Sequence, residues 1–147
     1  MQRRSPCRNG RRGTAMIEFA LSFSLLWALF TGVFQFGYSM YVYNRLLAAV
    51  DQGARYASRV DFDSPNHTFV GKVQNMVVYG NPQGTGNKLL WLLNKSNVDV
   101  TWTADAAGLP KTITVSVKNF SVPVIFTTFN FNNKPRVTMK YTGLYKS

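Results

Sequence analysis

The feature that most constrains this chain is an uncharged apolar window, Phe19 to Asn44, bounded by Glu18 on one side and Arg45 on the other. About 20 apolar residues at ~1.5 Å rise each cross the hydrocarbon core of a bilayer, so a helix through this window is long enough to span a membrane. It is too long for a secretory signal, whose apolar core is shorter and ends at a small-residue cleavage site. No proline interrupts Thr14 to Arg59, and this whole stretch reads as one helix of roughly 65–70 Å. Everything downstream is then what that helix carries across.

The two ends of the helix differ in pattern. Residues 14–44 are apolar all round, as a membrane span should be. Within them Ala20, Ser24, Ala28 and Gly32 recur every four positions, a face on which two backbones can approach closely in lipid. From 45 to 60 the helix becomes amphipathic. Leu46, Ala49, Val50, Gly53, Ala54 and Ala57 follow three-and-four spacing, while Asp51, Gln52, Arg55 and Arg59 fall elsewhere. This part extends into water with one face to bury.

Charge orients the chain. Of 17 basic residues, Arg3, Arg4, Arg8, Arg11 and Arg12 precede the span. The bias of Lys and Arg toward the cytoplasmic flank places residues 1–13 inside the cell and residues 61–147 outside, in a single-pass arrangement. The formal charge of +11 therefore overstates the exported part, where 12 basic residues follow the span. They stand singly, as on a solvated surface, and nucleic acid is not expected as a partner. Cys7, the only cysteine, lies in the basic head, so the exported part has no disulfide and no thiol or zinc chemistry. No cofactor or metal is implied. Asp61 and Asp63 lack the further oxygen ligands of a calcium loop and read as a turn that caps the next helix. His67, the single histidine, reads as a surface group, and Gly84-Thr85-Gly86 lacks the rest of any phosphate-binding fingerprint. An enzyme is not expected.

The exported part, about 90 residues, holds one small α+β domain. His67 to Tyr79 is a short amphipathic helix with Phe69, Val70, Val73, Met76 and Val77 on one side. Gly80 to Asn87 is a loop, and Lys88 to Leu93 is a short apolar turn or helix with Trp91. Three segments alternate with period two: Val98–Thr103, Lys111–Lys118 and Arg136–Thr142. They predict an antiparallel sheet of about three strands, a meander in its simplest form. Ile113, Val115 and Val117 point inward there, with Thr112, Thr114 and Ser116 outward. The amphipathic half of the long helix is the natural cover for the apolar face. The aromatic connection Asn119 to Pro135 includes Val122–Phe126, a short helix or an apolar plug.

Arg12-Gly13-Thr14-Ala15-Met16-Ile17-Glu18-Phe19-Ala20-Leu21 resembles the amino terminus of type IVb (Flp/Tad) prepilins. With Gly32–Gly37 and Gly53–Ala57 at their spacing, it resembles more closely the TadE-like pseudopilin family. The resemblance covers about the first 57 residues. It implies cleavage between Gly13 and Thr14 by a membrane prepilin peptidase, with Glu18 as the conserved glutamate of pilins and Phe19 beside it in the recognition segment. It implies a minor pilin or pseudopilin of a tight-adherence pilus or related secretion system. Its partners would be the bacterial inner membrane, the peptidase, other pilin subunits and the pilus assembly machinery. Phe19 stands where many major pilins of this class have tyrosine, and Ser24 where the family often has proline, so a kink there is not expected. Two other functions stay open on the residues alone: an unprocessed, signal-anchored protein that binds an extracytoplasmic partner, and a DNA-binding uptake pilin.

Glu18 also stands out on physical grounds. A carboxylate costs about 2.5–3.5 kcal/mol at the bilayer centre and less near an end, so it needs a partner. Cutting after Gly13 would create an amine on Thr14 one helical turn away. That amine can pair with Glu18 of the same chain or of a neighbour.

Overall fold

In a computed structural model, residues 10–63, 68–106, 110–124 and 128–143 are described. His67, residues 107–109 and the Ile125–Phe126 part of the expected plug lie outside them. Helix α1 runs unbroken from Gly10 to Ala57. It starts earlier than Thr14 because an established helix extends at little cost per residue, and Arg11 and Arg12 are good helix formers. The chain divides into two units, Met1–Tyr38 and Ser39–Ser147. The first is the apolar half of α1. The second is the folded domain, which includes the helix's amphipathic half.

Within the domain, Leu46, Ala49, Val50, Gly53, Ala54 and Ala57 are all buried, and Val42 joins them one turn earlier. Helix α2, Thr68–Tyr79, buries Phe69, Val73, Val77 and Val78. The two helices meet at Gly53. A Cβ built there would run into Cγ2 of Val77, so only glycine fits. The hydroxyl of Thr68, the first residue of α2, donates to the Asp63 carboxylate at 3.0 Å. Lys88 to Leu93 is turn rather than helix, and a short 3-10 helix, Lys95–Asn97, leads into the sheet.

Three strands form that sheet: β1 (Val98–Ala104), β2 (Pro110–Val117) and a last strand at Arg136–Lys140, which we number β5. Their order is β1-β2-β5, antiparallel throughout, with Val100 opposite Val115 and Val115 opposite Val137. Between β2 and β5 the chain makes a second, two-stranded sheet from β3 (Phe120–Pro123) and β4 (Thr128–Phe131). Where the sequence suggested a helix or plug from Val122 onward, Val122 and Pro123 are strand. Phe120 and Val122 alternate inward with Ser121 outward, and Pro123 sits at the strand's end where a missing N–H costs no ladder bond. Asn119 and Asn133, both at positive φ, turn the chain into and out of this hairpin.

One buried cluster joins α1 from Val42 to Ala57, α2, Leu93 and the inward residues of β1, β2 and β3. Thr114 and Ser116, expected outward, are only 8% and 7% exposed. They lie on the middle strand. Thr114 is flanked by Thr101 and Thr138, and Ser116 by Asp99 and Arg136. The two threonine hydroxyls 114 and 138 hydrogen-bond at 2.9 Å, which meets the polar demand of that face.

Candidate processing and assembly surface

The residues singled out near the N-terminus all lie on the first unit. Gly13 and Thr14 are helical and exposed, and no atom lies within 4 Å of a Cβ built on Gly13. The helix has no acidic residue in its first turn. Glu18, the only glutamate in the chain, is exposed one turn after Thr14 and has no ion-pair partner among the described residues. Phe19 is exposed beside it.

Ala20, Ser24, Ala28 and Gly32 are all exposed, and α1 brings them onto one face by its 3.6-residue turn. The Ser24 hydroxyl donates to the Ala20 carbonyl at 2.7 Å, and Thr31 donates to Trp27 at 2.8 Å. Both hydroxyls thus find partners within the helix, where lipid offers none. No atom lies within 4 Å of a Cβ built on Gly32 or Gly37. The surface is smooth, apolar and open.

A second feature escaped the sequence reading. Phe19, Phe23, Trp27 and Phe30 form a continuous ridge, with ring centroids 6.0, 6.2 and 6.2 Å apart in succession. Three of these residues precede a member of the small-residue row by one position, so ridge and row climb the helix in parallel. The signal was present as aromatic residues at four-residue spacing. It was masked by the general apolarity of the segment.

On the folded domain Gln52, Arg55, Tyr56, Arg59, Val60 and Met76 line an open groove of about 380 Å³. Arg55 is held by Asp51 at 2.8 Å, and that hydrogen bond raises its pKa further above the usual guanidinium range. Burial pushes the Tyr56 hydroxyl above the ordinary tyrosine value. No group of three or more His, Cys, Asp or Glu side chains suited to a metal occurs among the described residues.

The TadE-like protein family matches residues 13–55 of this chain. Comparison with curated proteins and with solved structures found no match. TadE-like proteins are associated with the Flp/Tad pilus and are structural rather than enzymatic. The matched stretch begins at Gly13, takes in Glu18, the aromatic ridge and the small-residue row, and ends at Arg55 beyond the Gly53 crossing. Over that stretch the chain is similar to the TadE-like protein family.

Proposed function

We propose that this chain is a minor pilin or pseudopilin of a tight-adherence (type IVb) pilus or related secretion system. It is cut after Gly13 and assembled through its N-terminal helix. The observation that carries this is the placement of Glu18: a lone exposed carboxylate at the head of an apolar helix, one turn from Thr14.

The leader turn is weakly held. Gly13 costs about 0.8–1.0 kcal/mol relative to alanine inside a helix. Arg11 and Arg12 place positive charge near the positive end of the helix dipole, which is unfavourable. A peptidase can therefore draw this turn into the extended form that proteolysis needs, and Gly13 offers no side chain to obstruct it. Cleavage leaves an ammonium on Thr14 and moves Glu18 into the new helix's first turns. The carboxylate then lies where the dipole favours it and where the ammonium, its own or a neighbour's, can neutralise it. Neighbouring helices would close on the Ala20, Ser24, Ala28 and Gly32 face.

The test separates cleavage from assembly. Glu18→Gln, co-expressed with the peptidase and the other pilus proteins, should be cut normally yet fail to enter sheared pili or membrane-bound assemblies. Normal incorporation of the Gln variant would remove Glu18 from the assembly role.

A further inference from the structure

The uncharged window Phe19–Asn44 is about 39 Å of helix, longer than the ~30 Å hydrocarbon core, and such a helix tilts. Tilt direction is set by interfacial anchors, typically Trp, Tyr, Lys and Arg. On α1 itself the interface is marked by Tyr41 and Arg45, whose guanidinium lies over the Tyr41 ring at 5.9 Å. A second set of anchor residues stands in the loop between α2 and β1.

That loop carries Lys88-Leu89-Leu90-Trp91-Leu92-Leu93, with Lys95 beyond. Leu93 is buried, and Leu90 and Leu92 pack against the core. Leu89 is 38% exposed and Trp91 73%, the most exposed large apolar side chain of the exported domain among the described residues. The backbone is fixed rather than loose: the Leu89 N–H donates to Val78 at 2.8 Å and the Leu93 N–H to Leu90 at 3.0 Å. The Lys88 ammonium closes the loop by donating to the Asn94 side chain at 2.6 Å. A rigid turn that leaves a tryptophan in water has given up burial that three of its four leucines obtained.

Its height supplies the reason. Leu89 shares a small cleft with Arg45, Ala48, Ala49 and Gln52. Ala48 and Ala49 stand about 6–8 Å along the helix beyond Asn44. The headgroup layer is roughly 5–7 Å deep on each side of the core. With Asn44 at the edge of the hydrocarbon, the loop would fall at the outer edge of the headgroups, beside the first charged turn of the helix. A tryptophan flanked by lysines at that depth has the composition of an interfacial anchor, and the lysines suit anionic lipid.

We propose that the Trp91 loop docks on the anionic phospholipid interface of the leaflet from which the domain emerges. This rests on the membrane-anchored reading above. The chain's three tryptophans allow the two to be tested apart. Three full-length variants each keep one of them: Trp27 (Trp91→Phe with Trp102→Phe), Trp91 (Trp27→Phe with Trp102→Phe) and Trp102 (Trp27→Phe with Trp91→Phe). Each is reconstituted in vesicles of phosphatidylglycerol and phosphatidylcholine brominated high on the acyl chain or at its end. Emission from Trp91 should be quenched by the shallow bromines and protected from acrylamide, whereas Trp102 stays insensitive to both brominated lipids. Deep bromines should quench Trp27. Trp91 open to acrylamide and blind to bromine, with Trp27 still quenched, overturns the loop proposal and leaves the span. Trp91 shielded from both quenchers means protein covers it and also overturns the proposal. Loss of bromine quenching at Trp27 overturns the span, and the loop's docking with it.

Discussion

The Tyr141 hydroxyl donates to the Val60 carbonyl at 3.0 Å, joining residues 81 positions apart in sequence. The same oxygen accepts from the Phe62 N–H at 3.0 Å. Next to it, the Thr142 N–H and hydroxyl both donate to the Ser58 carbonyl, at 2.9 and 3.1 Å. The residues just after β5 thus pair with carbonyls of the segment just after α1. The chain that leaves the long helix is stitched to the end of the last strand. Gly143 belongs to the same closure, since a Cβ there would meet the Tyr141 hydroxyl at 2.6 Å and the Val60 carbonyl at 2.8 Å.

Removing that hydroxyl should loosen the closure. Tyr141→Phe leaves Val60 and Phe62 without their partner in a half-buried site. A cost of about 1–3 kcal/mol is expected, the range for a stranded buried polar group. Urea unfolding of the detergent-solubilised chain at neutral pH measures it.

The same residue makes an alkaline prediction. Burial raises the Tyr141 pKa, the Phe62 N–H lowers it in part, and the charge of Asp61 adds to the rise. The folded state therefore holds this proton after the unfolded state, near its ordinary value of about 10, has begun to lose it. The contribution is fully present below pH ~10 and is lost as pH climbs through the folded value. Stability measured from pH 8 to 11.5 should fall less steeply in Tyr141→Phe than in the parent chain. Parallel curves would remove Tyr141 from the alkaline response.

Gly53 should resist even alanine. In an exposed helix Gly→Ala gains about 0.8–1.0 kcal/mol. Here the added methyl would enter Val77, and overpacking of that kind costs typically 1–3 kcal/mol. Gly53→Ala should destabilise the domain. Paired with Val77→Ala, it should cost less than the two single changes together, because the second makes room for the first. A stabilised Gly53→Ala would show that α1 and α2 do not cross where the structure places them.

How far these contacts were legible in the sequence depends on their range. Period two gave Val98–Thr103, Lys111–Lys118 and Arg136–Thr142 as strands, since alternation is a local consequence of one buried face. Three-and-four spacing likewise gave Leu46, Ala49, Val50, Gly53, Ala54 and Ala57 as the buried side of the helix. The β3–β4 hairpin did not announce itself. Its strands are four residues each, too short for alternation to stand out, and Pro123 reads as a breaker. Ser116 was misassigned because the pattern tells which face a residue takes, not that its strand is the middle one. Tyr141 read as a strand residue, with no local sign of its tie to Val60. On the candidate surface, Gly13, Glu18 and the small-residue row are proposed from the sequence, whereas the aromatic ridge needed ring positions.

Bulk on the small-residue face should separate folding from assembly. The space at Gly32 is open in the single chain, so Gly32→Leu meets nothing there. The variant should insert in the membrane and keep the parent's domain stability. It should lose incorporation into assemblies, because the leucine holds a neighbouring backbone away. Sedimentation of membrane extracts with and without the substitution reads this out. Unimpaired incorporation would place the contact on another face.

The central claim is that Gly13–Thr14 is a scissile bond. Intact-mass and amino-terminal analysis of the chain, expressed with and without its cognate prepilin peptidase, tests it most directly. The account predicts a product beginning at Thr14 that appears only with the peptidase and disappears in Gly13→Leu. A chain that keeps Met1 to Gly13 under every condition would contradict it, and the signal-anchored binding protein would take its place.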